Sequence, residues 1–409
     1  MERLRLGVIG VGSVVREIYQ HLYFHSDFTP LLEIAAVADP STTSLDWFCD
    51  TFKVPAKRRF ADYREMLARV ELDAAQVNTP DHLHAAPAIA ALRAGLDVVV
   101  PKPTAATIRD AHAMLRAARE TGRLLGIDFH KREDPRLKEA EARYQSCRYG
   151  QLQSAVWYML DKLLVADSNH KPPFFATPDF AEKNTPVSFL TVHMCDALLK
   201  IVNLRPVEVR ATGFRQKLPS LKPLPVNGFD LVDTEVRLEN GALAHIITGW
   251  HLPNTAHATT MQSSRLICTD GVVDLGLDTP GFHELHADGI FEVNPLFRNF
   301  ERDGLVTGYG ISSPGRIYQH FLAARNGRLA AAAREAMLTP TALGFYTTVV
   351  LQAAEESLRL GTPVASGVVA GPALNAGELV IRELGAAAAA EYGYGRARTS
   401  RPGRKPRHC

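Results

Sequence analysis

Two groups of residues in this chain have types and spacing suited to proton and hydride chemistry. The first is Val100-Pro101-Lys102-Pro103, where a lysine is pinned between two prolines that restrict its backbone. A lysine held in this way can hydrogen-bond a substrate oxygen and stabilise the alkoxide character that develops as hydride leaves. The second is Ser188-Phe189-Leu190-Thr191-Val192-His193-Met194-Cys195-Asp196. On a helix, His193 and Asp196 are three residues apart and share a face with Phe189. An imidazole that titrates near neutrality can take or return a hydroxyl proton, and Asp196 can orient it or bind a substrate hydroxyl.

Something must hold such groups against a redox partner, and the first forty residues supply the means. Leu4 to Ile9 reads as a buried strand. It runs into Gly10-Val11-Gly12-Ser13, then into Val14 to Leu22, where Val14, Ile18 and Leu22 repeat at helical spacing. A second apolar run, Ile34 to Ala38, ends on Asp39. Strand, glycine turn, helix, strand and acid is the layout of a dinucleotide-binding βαβ unit. Gly10 permits a tight turn, and Gly12 permits close approach of a pyrophosphate. The helix start at Ser13 and Val14 offers amides and the positive end of its dipole to that anion. Asp39 can accept from both ribose hydroxyls and would repel a 2′-phosphate, which favours NAD over NADP. Two positions depart from the pattern. Val15 stands at the third glycine, and Asp39 lies 27 residues beyond Gly12, against an offset of roughly 20; Tyr23 to Leu32 reads as the insertion that absorbs the excess.

Strand and helix patterns alternate to about residue 130, which predicts a doubly wound parallel sheet. Its fourth strand ends in Asn78-Thr79-Pro80-Asp81-His82-Leu83-His84 and its fifth in Lys102. Both ends fall where ligands meet open parallel sheets, so Thr79, Pro80 and His84 join the candidate cofactor residues. After Gly150 the grammar changes to long alternating segments with hairpin turns such as Glu239-Asn240-Gly241. Helices are expected over 186–202, 314–325 and 339–360. The expectation is an α/β chain: a Rossmann domain over 1–130, then an α+β domain over 131–375 with a large, mostly antiparallel open sheet. The closing helices near 339–361 could pack back on the first domain, and 390–409 reads as a basic, disordered tail.

The chain has 409 residues and a net charge of +2, with 46% hydrophobic and 22% charged residues. Six of its Lys and Arg residues lie in the last fourteen positions, which leaves 40 basic against 44 acidic residues elsewhere, a net of −4. That gives no electrostatic reason to expect nucleic acid. Five cysteines are scattered without paired spacing, so neither a disulfide framework nor a metal site is expected, and a reducing compartment fits. The first strand follows the start directly, which leaves no room for a leader. No apolar run approaches the roughly 18 residues of a membrane span. A cytoplasmic protein is expected.

The glycine turn, Thr79-Pro80 followed by His84, Lys102-Pro103 and His193-x-x-Asp196 resemble, in this order, the motifs of the Gfo/Idh/MocA oxidoreductases. That family includes glucose–fructose oxidoreductase and inositol dehydrogenases. The resemblance continues to Ala353-Ala354-Glu355-Glu356-Ser357 with Gly361 and Val364, and so spans nearly the whole chain to about residue 375. It implies NAD-linked oxidation or reduction at a hydroxyl carbon of a sugar, cyclitol or sugar derivative. It implies an oligomer, a homodimer or homotetramer, formed through the open sheet. Lys102 matches the lysine of the family's Glu-Lys-Pro, His193 its catalytic histidine and Asp196 a substrate-contacting acid. His130 stands where the family often has an asparagine near the nicotinamide. Lys162 and His251, with Asp161 and His257, are candidates to line the sugar site. Two family acids are absent: Pro101 replaces the glutamate before the lysine, and Phe189 replaces an aspartate four residues before the histidine. Two rival readings stay open, an NAD-using glycosidase-like enzyme with transient redox and a non-catalytic NAD-binding sensor. In the principal reading an ammonium and an imidazole from separate domains must act on one carbinol.

Overall fold

The computed structural model describes residues 3–171, 179–278, 283–286, 289–292, 294, 296–301 and 303–395. The chain divides into two compact units. One comprises residues 1–134 and 295–345, the other 135–294 and 346–409.

The first unit is built on six parallel strands: β1 (Leu4–Ile9), β2 (Leu32–Ala38), β3 (Arg59–Phe60), β4 (Ala74–Val77), β5 (Asp97–Pro101) and β6 (Leu125–Asp128). Their order across the sheet is β3-β2-β1-β4-β5-β6. The chain reverses direction of winding between β1 and β4, which is where such sheets open a crevice for ligand. β4 and the first four residues of β5 are buried throughout, as strands covered on both faces must be. The helix after β1 differs from its expected form. It starts with a wide π-type turn, Val15–Tyr19, and finishes as Gln20–Phe24. Its buried face is Val15, Tyr19, Leu22 and Tyr23, while Val14 and Ile18 pack only partly against the core. The wider turn shifts the face by one residue, so a count in threes and fours from Val14 picks the wrong stripe.

The segment 295–345 belongs to this first unit rather than to the second domain, where sequence patterning places it. Its helix Tyr309–Arg325 begins five residues earlier than expected and carries Pro314 within it. Ile311, Tyr318 and Phe321 enter the same core as Leu4, Leu6, Val8 and Tyr19. Val306 does so too. Residues 339–344 are not yet helical. The helix predicted from 339 starts only at Phe345 and runs to Leu360, and all but its first residue belong to the second unit.

The second unit carries a nine-stranded sheet. Its principal strands are β7 (Leu152–Lys162), β8 (Pro206–Phe214), β9 (Leu231–Leu238), β10 (Leu243–Leu252), β11 (Thr260–Cys268) and β12 (Gly271–Gly276). The order is β12-β11-β7-β10-β9-β8, extended at the β8 edge by Val368–Ala370 and Thr362–Ala365. Leu374–Asn375 also pairs with β8. The β7–β10 pair is parallel and the other pairs are antiparallel. The turn at Gly241, with φ +90°, joins β9 to β10 as expected. One face of this sheet is buried, with Trp157, Ala244, Ile246 and Trp250 at 0% exposure. Val156 and Ile267 on other positions of β7 and β11 remain exposed.

The end of the chain differs from the expected tail. Ala386–Glu391 is a helix, Tyr392 and Tyr394 are buried, and the Tyr394 hydroxyl donates to the Pro206 carbonyl at 2.9 Å. Two aromatic rings thus anchor residues 390–395, the part of the expected tail that is described. The remainder of the expected tail, 396–409, lies outside the described residues.

Candidate active site

The candidate cofactor residues of the first unit stand at the carboxyl ends of β1, β2, β4 and β5. Gly10 has φ +85°, and a Cβ there would lie 2.9 Å from the Asn78 carbonyl oxygen, so only glycine fits between β1 and β4. At Gly12 a Cβ would meet nothing within 4 Å. The space over that residue is open, as a pyrophosphate cradle requires. Asp39 is buried and its carboxylate is already half used. Oδ2 accepts from the Val11 amide at 2.8 Å and Oδ1 from the Ser41 amide at 2.8 Å. A carboxylate has about four lone-pair positions, so acceptors remain for ribose hydroxyls. The same bonds tie the acid to the glycine turn and fix its place. Thr79 Oγ1 is buried with no hydrogen-bond partner. A buried hydroxyl left unsatisfied costs roughly 1–3 kcal/mol, which a bound polar ligand would recover. These residues fit a dinucleotide.

A buried relay supports the turn from behind. The Tyr318 hydroxyl donates to Gln76 Oε1, Gln76 Nε2 donates to Asn78 Oδ1 at 3.0 Å, and Asn78 Nδ2 donates to the Gly10 carbonyl at 3.1 Å. Sequence reasoning missed it because Tyr318 and Gln76 are 242 residues apart. A polar residue in mid-strand, Gln76, was its one local sign.

His84 is not placed as a direct cofactor ligand. Its ring is buried. Nδ1 lies 3.0 Å from the Pro103 carbonyl oxygen and Nε2 lies 2.9 Å from the Thr79 carbonyl oxygen. Both nitrogens face main-chain carbonyls, so the neutral ring donates to one of them and only the imidazolium donates to both. Burial pushes this imidazole below its usual range, while the Asp81 carboxylate and the facing carbonyls pull it the other way. Pro80 separates Thr79 from a short helical turn, Asp81–Leu83. Lys102 is half-buried, and its amide donates to the Asp128 carbonyl at 3.3 Å. The Thr104 hydroxyl two residues on donates to the Leu343 carbonyl.

His130 stacks on Tyr309, with ring centroids 5.8 Å apart and planes at 14°, and Phe297 closes the trio at 5.2 Å from each. Burial, followed by the Lys131 and Lys102 cations, drives its pKa well below the usual histidine value, so the ring is neutral at neutral pH. Just before it, Asp128 is fully buried. The Tyr19 hydroxyl donates to its Oδ2 at 2.8 Å and the Ser313 hydroxyl to its Oδ1 at 2.5 Å. Burial pushes this carboxyl up to about 6, against the pull of its two hydroxyl donors. The folded protein thus keeps a proton that the unfolded chain releases near 3.9. Stability must fall as pH rises from about 4 to about 6, and the loss persists above that. Asp128→Asn is expected to raise Tm at pH 8, by the equivalent of roughly 2–3 kcal/mol, and to have little effect at pH 4. Thermal melts of both proteins across this range check it.

In the second unit, His193 and Asp196 are both buried on the helix Val192–Val202. Thr347 Oγ1 donates to Asp196 Oδ1 at 3.4 Å. The helix is entered through a π-type turn, Val187–Thr191. It is tied to β10 by the Thr191–Thr248 hydroxyl pair at 2.8 Å. Phe189 sits in that turn. It meets Phe180 edge-on at 5.0 Å and 82°, and Phe180 meets Trp250 at 5.9 Å and 69°. The position of the absent acid is thus part of an aromatic stack. Lys162, at the end of β7, is half-buried, and beside it Asp161 accepts from the Thr260 hydroxyl at 2.7 Å. His251 is exposed. Strand alternation turns it to the side opposite Trp250, away from the covered face. No group of three or more His, Cys, Asp or Glu able to hold a metal ion occurs among the described residues.

Residues 4–129 match the profile of a family described as an oxidoreductase family with an NAD-binding Rossmann fold. Among curated proteins, the D-glucoside 3-dehydrogenase of Escherichia coli K12 is 30% identical over 129 residues, covering 32% of this chain and 35% of that protein. The inositol 2-dehydrogenase of Salmonella paratyphi B is 26% identical over 132 residues, covering 32% and 38%. These alignments span little more than a third of either relative. Among solved structures, scyllo-inositol dehydrogenase from Lactobacillus casei with bound NAD(H) and scyllo-inositol superposes with a TM-score of 0.67 at 15% identity, over 90% of this chain and 99% of that one. At that identity the likeness is one of fold.

Proposed function

We propose, from the match of residues 4–129 to the Gfo/Idh/MocA NAD-binding Rossmann model, that this chain is an NAD-dependent dehydrogenase acting at a hydroxyl carbon of a sugar, cyclitol or sugar derivative. The observation that carries the proposal is the cradle in the first unit: open space over Gly12, a tethered Asp39 and a buried Thr79 hydroxyl without a partner. NAD supplies the hydride acceptor. His193 takes the hydroxyl proton during oxidation and returns it in reduction. Lys102 donates to the same oxygen and favours its alkoxide form. Asp196, Lys162 and the exposed His251 bind further substrate hydroxyls.

The test is NADH formation at 340 nm with inositols, D-glucosides and levoglucosan, together with the NAD content released on denaturation. Exchangeable NAD and steady absorbance growth support the dehydrogenase. Bound NAD without product on any substrate would replace it by a sensor, the reading that the Phe189–Phe180 stack in place of a carboxylate favours.

Asp39 carries a separate expectation. Asp39→Asn should raise the Kd for NADH roughly tenfold or more, because a charged acceptor is lost, and should narrow the preference for NADH over NADPH. Fluorescence titration with both nucleotides measures it.

No helix among the described residues is long and apolar enough to cross a membrane. We place the protein in the cytoplasm; Cys49, Cys195 and Cys268 are buried free thiols, whereas Cys147 is disulfide-bonded, against the expectation of unpaired cysteines. We also propose a homodimer or homotetramer joined through the sheet face that leaves Val156 and Ile267 exposed. Sedimentation equilibrium would return a monomer if that is wrong.

A further inference from the structure

His84 is a buried imidazole set between two main-chain carbonyls that belong to different loops. Thr79, on the loop after β4, presents the unpartnered hydroxyl assigned to the cofactor. Pro103, on the loop after β5, is bonded directly to Lys102. The ring is 1% exposed, so no water substitutes for either contact. The lysine loop has two other described ties, the Lys102 amide on the Asp128 carbonyl and the Thr104 hydroxyl on the Leu343 carbonyl. Neither reaches the Thr79 loop. Beyond the ladder that pairs β4 with β5, the His84 ring makes a side-chain contact from the loop after β4 to the loop after β5.

We propose that His84 is a positioning residue: it bridges the loops after β4 and β5 and sets the place of the Lys102 amine relative to the cofactor. The proposal rests on the dehydrogenase reading only for its catalytic meaning, since the bridge itself is a matter of geometry. Removing the ring frees the Pro103 carbonyl and lets the Lys102 segment relax against β6. Displacement of a catalytic group by about 1 Å costs up to roughly 100-fold in rate.

The test uses the full chain with its lysines 13C-dimethylated, and the Lys102 signal is identified by its loss in Lys102→Arg. With saturating NADH as probe, His84→Ala should move the Lys102 resonance and leave the other methyl-lysine resonances in place. His84→Gln keeps an N–H donor of similar reach. It should shift the resonance less, and it serves as the working variant if the alanine protein does not fold. An unmoved Lys102 resonance, or movement of all the lysine signals alike, would overturn the proposal. Turnover gives the second arm. His84→Ala should cost roughly 10–100-fold in kcat with little change in KM for the polyol. In a Lys102→Ala background it should cost nothing more, because both changes remove the same interaction. Additive losses would refute the bridge and leave the dehydrogenase standing. A shifted resonance in a protein whose Lys102→Ala variant turns over normally would refute the catalytic reading and leave the bridge.

Discussion

Exchanging His193 for Asn is expected to lower kcat by roughly 10²–10⁴-fold, the usual worth of a positioned general base. The asparagine fills most of the space of a side chain that is buried on its helix, so the fold should survive and Tm should change by only a few degrees. The pH profile should change as well as its height. In the proposed mechanism oxidation requires a neutral imidazole, so kcat/KM should rise with pH as that imidazole loses its proton. In His193→Asn that limb should vanish. A variant that keeps both the rate and the limb would remove His193 from the mechanism. The proton would then have to go elsewhere, and Phe189, locked edge-on to Phe180, offers no carboxylate to receive it.

Replacing Lys102 by Ala should cost roughly 10²–10³-fold in kcat, the scale found for removal of one donor to a developing oxyanion. In the proposed role the oxygen facing Lys102 gains charge only as hydride departs, so the loss should fall on kcat and leave KM for the polyol within a small factor. Stability should hold, because the side chain is only half-buried. Lys102→Arg tests geometry apart from charge. It keeps the cation but spreads it over a planar fork that cannot stand where a compact ammonium stood, and it should recover little. Steady-state kinetics on any substrate that yields NADH measures both variants.

The glycine turn and the parallel order of the first sheet were legible because each rests on a local pattern. Continuous apolar runs mark strands covered on both faces, and a turn between strand and helix that only glycine can make marks the cradle. The antiparallel hairpin at Glu239-Asn240-Gly241 was legible for the same reason. What could not be read depends on partners far apart in sequence. His84 looks like a ligand until its two carbonyls are placed. Tyr309 and Phe297 stack on His130 from about 170 residues away, with no spacing to betray them. On the first helix Leu22 is buried as its spacing suggests, while the π-type turn leaves Val14 and Ile18 only partly covered and buries Val15 and Tyr19 instead. Of the tail read over 390–409 only 390–395 are described, and there two buried tyrosines, which composition weighs hardly at all, anchor the chain.

The return of 295–345 to the first unit bears on how this molecule is made. A ribosome releases the sheet-forming residues long before Ile311, Tyr318 and Phe321, so the nucleotide half emerges with a gap in its apolar interior. It must wait, during synthesis of an entire intervening sheet, for the helix that fills it. A gene truncated after residue 134 would therefore encode a sticky fragment, not a small autonomous cofactor carrier.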